Sequence, residues 1–141
     1  MLAAQTIGAD CAYVGSAFIA THEASAKAAY KDMIVASKAA DVVYSSHFTG
    51  VHGNYLAPSI AAAGLDPANL PEADKTTMNF ASGGSSEAKA WRDIWGSGQG
   101  IGAVREIVLV AQLVARLRDE YEAAREAVAA GTSAAYANGR L

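Results

Sequence analysis

The run Cys11-Ala12-Tyr13-Val14 passes directly into Gly15-Ser16 and then into Ala17-Phe18-Ile19-Ala20-Thr21-His22-Glu23, an apolar strand handed over to a helix through a glycine step. A strand without a polar face needs neighbours on both sides and cover on both faces, which is the setting of a parallel sheet. What precedes it does not supply that setting. Met1 to Ile7 reads as the last turns of a helix stopped by Gly8, with Ala9-Asp10 as the link, whereas an αβ unit normally supplies a helix of about three turns. The chain therefore reads as starting mid-helix. Gly15 lets another group approach the backbone closely, and Ser16 adds an amide and a hydroxyl. Strand, Gly-Ser step and helix start together form a seat for a phosphate or a similar anion.

Size bounds what can surround that strand. The 141 residues, 52% of them hydrophobic, are enough for one ordinary domain, but a complete (β/α)8 barrel takes about 250 residues. The expected fold class is thus α/β, the C-terminal portion of a TIM-type barrel, mostly helical with few strands. A net charge of −3 and the lack of any Lys/Arg cluster exclude a nucleic-acid footprint. The single cysteine, Cys11, cannot form an internal disulfide; it reads as a small buried hydrophobe in a reducing compartment. No stretch approaches a membrane span and no basic-then-apolar leader opens the chain, so a cytoplasmic protein is expected.

Further along, Glu23 to about Ser37 is alanine-rich and helical, with Ala26, Ala29, Tyr30, Met33 and Ile34 on one face and Thr21 as N-cap. Asp41 to His47 suits a short strand around Val42-Val43-Tyr44, and the chain turns at Gly50 and Gly53. Leu56 to Gly64 reads as a short helix with proline near its start and glycine at its end. Asp66-Pro67 and Leu70-Pro71 read as turns, Glu72 to Glu87 as a surface loop, and Ala88 to Ile94 as a short helical stretch bringing in Trp91 and Trp95. The last long helix carries Ile107, Val110, Val114, Leu117, Tyr121, Ala124 and Val128 at spacings of three and four, with Arg116/Glu120 and Arg118/Glu122 as i,i+4 pairs. That stripe is expected to pack on its own domain rather than form a coiled-coil seam. The tail from Thr132 to Leu141 is expected to fray.

Three constellations bear on chemistry. The run Gly96-Ser97-Gly98-Gln99-Gly100-Ile101-Gly102 contains Gly98-x-Gly100-x-x-Ala103, formally a dinucleotide fingerprint. It lacks the preceding strand and the acidic residue on a second strand that such a site requires. It reads instead as a flexible, tightly turning loop near a ligand or another backbone. His22, His47 and His52 have no metal-binding spacing and no cysteine partner, so no metal is expected, and His47 and His52 are expected to hydrogen-bond locally. Ser45-Ser46-His47 lacks the nucleophile elbow of a serine hydrolase.

Taken in order, Gly8 to Thr21, Phe48-Thr49-Gly50-Val51-His52-Gly53-Asn54-Tyr55-Leu56, and Asp93-Ile94-Trp95-Gly96-Ser97-Gly98-Gln99-Gly100 resemble the C-terminal part of the nitronate monooxygenase family, formerly 2-nitropropane dioxygenases, over most of residues 1 to about 120. The resemblance implies a (β/α)8 barrel with FMN at the C-terminal ends of its strands. It also implies that Tyr13, Val14, Gly15 and Ser16 are the last-strand contact to the flavin phosphate, Ser16 standing where many relatives have threonine. Phosphate sites at the loops after the last two strands recur in such barrels. On this reading the chain divides into a last βα unit (1–40), a strand and loop extension (41–103), an amphipathic helix (104–130) and a tail (131–141).

The activity implied is oxidation of alkyl nitronates by oxygen, the flavin carrying the electron chemistry. The family's catalytic histidine and its strand-seven glycines have no counterpart here; His22, His47 and His52 do not match them. No catalytic residue is therefore assigned, and the isolated chain is expected to be inactive. Two alternatives stand beside this reading. One is an FMN-dependent enoyl-reductase barrel, which shares the Gly-Ser strand end. The other is a non-catalytic piece that self-associates or docks on a complementing chain, because a barrel strand without neighbours exposes unpaired edges.

Overall fold

The computed structural model describes residues 1–72 and 92–131. The Glu72–Glu87 loop beyond its first residue, the start of the stretch from Ala88 with Trp91, and the tail from Thr132 lie outside the described residues.

Within the described residues, four complete short α-helices and one hairpin precede the long helix. Helix α1 (Leu2–Thr6) ends ahead of Gly8, whose φ of +92° suits a residue without a Cβ. Helix α2 is the single turn Ser16–Ile19, and α3 spans Ala28–Ala36. A 3-10 turn at Ala39–Asp41 leads into β1 (Val42–Ser45), which pairs antiparallel with β2 (Gly53–Leu56) from Val42 opposite Leu56 to Ser45 opposite Gly53. Helix α4 (Ala57–Ala62) follows with Pro58 in its first turn, where a missing N–H costs nothing, and terminates before Gly64 at φ +83°. A 3-10 helix covers Gln99–Ala103, and α5 runs from Val110 to Ala129. The predicted β1, α4 and terminating glycines are all present.

The core gathers Ala20, Ile34, Leu56, Ile101 and Val104, with Tyr30, Met33, Val42 and Trp95 packed around it. Ile34, Leu56 and Ile101 are fully buried, so each contributes about 1.5–3 kcal/mol of transfer free energy. Tyr30 stacks on Trp95 with ring centroids 5.0 Å apart and donates its hydroxyl to the Gly96 carbonyl. Ser59 is buried between two backbone groups, donating to the Leu56 carbonyl at 2.8 Å and accepting from the Trp95 amide at 3.0 Å.

Five expectations are corrected. Cys11 to Val14 is not a strand but an exposed connecting segment, and Cys11 is exposed rather than buried. A strand is stabilised by its ladder, and the only sheet among the described residues is the β1–β2 hairpin. Thr21 caps nothing on α3: it is buried, its hydroxyl donates to the Phe18 carbonyl at 2.8 Å, and Lys27 precedes the helix. The α5 stripe is only partly covered: Ile107, Val110, Leu117 and Tyr121 are half-buried, Val114 is 50% and Val128 69% exposed, and the buried residue of α5 is Leu113, which lies off the stripe. Helix α1 lies against that helix, joined by the Tyr121 hydroxyl donating to Gln5 Oε1 at 2.8 Å. The arginines of α5 also pair otherwise than expected, Arg116 with Glu106 at 3.6 Å and Arg118 with Asp119 at 3.1 Å.

Helix α5 is tied to the core at its N-terminus. The segments at Thr21 and Val108 form an isolated parallel bridge, with the His22 amide donating to the Val108 carbonyl at 2.9 Å. Both Glu23 carboxylate oxygens then accept from the Val110 amide at 3.0 Å. A carboxylate there satisfies an orphan donor and complements the helix dipole.

Candidate functional site

The Gly-Ser step lies where the exposed N-terminal segment meets the packed body. Gly15 precedes α2 at φ −107°, ψ −61°, and Ser16 is its first residue. Tyr13 is 99% exposed and Val14 36%. Behind the step, Ala17 and Ile19 pack against the core cluster, so α2 is anchored while the residues leading into it are not.

Ser16 is held from a distant part of the chain. Its Oγ accepts the Gly98 amide at 2.8 Å, across 82 residues. Among the described residues the hydroxyl donates to no acceptor, so its proton is unspent. Such a group, flanked by glycine and facing solvent, is chemically matched to an anionic oxygen, which accepts and does not donate. A phosphate oxygen is matched to this donor by charge and hydrogen-bonding capacity.

The glycine run is a built platform rather than a slack loop. The Ser97 amide donates to the Asn54 carbonyl at 3.1 Å and the Leu56 amide to the Trp95 carbonyl at 2.8 Å, extending the β2 edge onto residues 95–97. A Cβ on Gly96 would come within 3.3 Å of the Asn54 carbonyl oxygen, so glycine permits that approach. Ile101 then drives the 3-10 helix into the core. The loop makes the expected close approach to another backbone, whereas the expected flexibility is corrected, since backbone hydrogen bonds to β2 hold residues 95–97. Its link to Ser16 was not legible: the alternating glycines mark the loop, but nothing in the sequence says which residue Gly98 faces.

The histidines stand apart from this site. His47 Nδ1 lies 3.0 Å from the Pro71 carbonyl with its ring edge-on to Phe48, and His52 stacks on Tyr44 at 4.8 Å. The side-chain partner of His47 is thus 24 positions away rather than local as expected. Among the described residues no group of three or more His, Cys, Asp or Glu is placed to hold a metal, and no helix is long and apolar enough to cross a membrane.

Asp93 and Tyr30, on the elements that flank the glycine run, have shifted titration. Asp93 is held at about 2 by its hydrogen bonds from Arg92 and Lys27. Burial pushes the Tyr30 phenol up from its ordinary value.

The three sequence motifs that stand far apart in the chain are therefore contiguous in space: Ser16 touches Gly98, and Ser97 touches Asn54. A family model described as nitronate monooxygenase matches residues 1–120. Searches of curated proteins and of solved structures give no match.

Proposed function

The chain belongs to the nitronate monooxygenase family, a TIM-barrel family of oxidoreductases, and on that premise we propose that Tyr13 to Ser16 form part of a seat for the phosphate of FMN in the oxidative denitrification of alkyl nitronates. The observation that carries the proposal is the Ser16 hydroxyl, fixed by the Gly98 amide and donating to no acceptor among the described residues. Bound FMN would supply the electron transfer between nitronate and oxygen. The Ser16 hydroxyl donates to a phosphate oxygen, Gly15 leaves the backbone open to it, and Tyr13 and Val14 lead the chain towards it.

This reading assigns the chain binding rather than proton abstraction. His47 and His52 are engaged with Pro71 and Tyr44, and neither belongs to the Ser16–Gly98 site. The apolar run ahead of Gly15 takes neighbours that the described residues do not provide, from a second copy or a complementing chain, and exposed strand edges favour such pairing. Flavin absorbance of the purified chain after reconstitution with FMN, read together with molar mass by light scattering, tests this. Stoichiometric flavin in a defined species is expected. A chain that stays flavin-free in every species would overturn the proposal.

A further inference from the structure

The contact between Ser16 and Gly98 does more than join two loops. A hydroxyl that accepts a hydrogen bond has one oxygen lone pair committed and its proton directed elsewhere, and the accepted bond polarises the O–H into a better donor. We infer that the Gly98 amide is a positioning group for the phosphate seat, aiming the Ser16 hydroxyl proton at a phosphate monoester oxygen. The inference rests on the FMN reading and adds to it a residue that lies 82 positions from Ser16.

The surroundings of Gly98 suit that role. Its neighbours are fixed on both sides, Ser97 by the Asn54 carbonyl and Ile101 by burial in the core, while Gly98 itself is exposed. The platform is stiffened further by the Tyr30–Trp95 stack and by the Tyr30 hydroxyl donating to the Gly96 carbonyl. The donor is therefore held by the packed body and not by the segment it serves. A ligand group that must be oriented is best held by a rigid supporting shell. Glycine is not demanded by sterics here, since a Cβ on Gly98 would meet Ser16 Oγ at 3.5 Å, an ordinary contact. The backbone N–H is the functional part.

That separation makes the test clean. Gly98 sits at φ −83°, ψ 158°, a conformation open to alanine and close to that of proline. Gly98→Ala keeps the amide hydrogen and Gly98→Pro removes it. Binding of FMN and of riboflavin, which lacks the phosphate, is measured by flavin fluorescence for the parent chain, both Gly98 variants, Ser16→Ala and Ser16→Thr.

The expected pattern has Gly98→Ala and Ser16→Thr close to the parent. Ser16→Ala weakens FMN roughly tenfold or more, as for loss of a hydrogen bond to a charged group. Gly98→Pro weakens it roughly three- to tenfold, as for loss of the supporting bond. Riboflavin binding is unchanged throughout. If Ser16→Ala weakens FMN while Gly98→Pro matches Gly98→Ala, the positioning role is overturned and the phosphate seat stands. If the parent does not bind FMN, or Ser16→Ala binds it as the parent does, the seat itself is overturned and the inference with it.

Discussion

Residues 20–60 with 94–104 close on themselves, whereas residues 1–15 and helix α5 do not. In the first region Ile34, Leu56, Ile60 and Ile101 are fully buried, and buried Ser59 spends its hydroxyl on two backbone groups. In the second, Ile7 is 86%, Tyr13 99% and Val128 69% exposed, although these side chains are as apolar as those of the core. The difference is one of partners and not of composition. The first region holds its own hydrogen-bonding and packing partners within the chain; the second displays apolar surface of the kind that other surfaces cover. The Gly-Ser step sits at the boundary, anchored behind by Ala17 and Ile19 and open in front.

Substitutions can sharpen that contrast. Ile101→Ala opens a cavity in the closed region and is expected to cost about 2–5 kcal/mol in chemical denaturation. Val128→Ala, in the open region, is expected to stay within about 0.5 kcal/mol. Equal losses at the two sites would erase the distinction. Ser59→Ala leaves the Trp95 amide without its acceptor and is expected to cost about 1–3 kcal/mol, read in the same way. Glu23→Ala removes the carboxylate that joins the two regions at the start of α5. It should cost about 0.5–2 kcal/mol, as a lost cap does, and raise amide exchange in the first turn of α5 before it does so in the core.

Titration gives the smallest effects, and their signs differ. Asp93 is depressed from 3.8 to about 2 by Arg92 and then Lys27. Its contribution is present above 3.8 and is lost as the pH falls towards about 2. Asp93→Asn should remove that acid-side slope from the pH dependence of stability. The Tyr30 phenol is raised above 10.0 by burial, so its contribution is complete below 10.0 and is lost as the pH rises through the folded-state value. Tyr30→Phe should abolish that alkaline loss; an unchanged alkaline limb would show that Tyr30 does not govern it.

The same contrast explains what the sequence discloses. Local signals suffice where a few neighbouring residues decide the conformation: Val42-Val43-Tyr44 as a strand, Pro58 and Gly64 bracketing α4, Gly8 ending α1. They fail where the outcome depends on what lies alongside. Cys11 to Val14 has the composition of a buried strand and no ladder among the described residues, and the α5 stripe has helical spacing but is only partly covered. Thr21 resembles a cap because its side chain seeks a nearby backbone group, and it finds the Phe18 carbonyl instead. At the proposed site, the Gly15-Ser16 step suggests an anion seat from its own residues. The Gly98 amide that orients Ser16 is not, since a backbone donor carries no side-chain signature and its acceptor is distant in sequence.

The central claim is that a phosphate is received at the Gly15–Ser16 step, and amide chemical shifts of the 15N-labelled chain titrated with FMN and, in parallel, with riboflavin test it most directly. FMN is expected to move the Gly15, Ser16 and Gly98 resonances in a saturable manner that riboflavin does not reproduce. The account is contradicted if FMN leaves these three amides in place, or if riboflavin moves them equally.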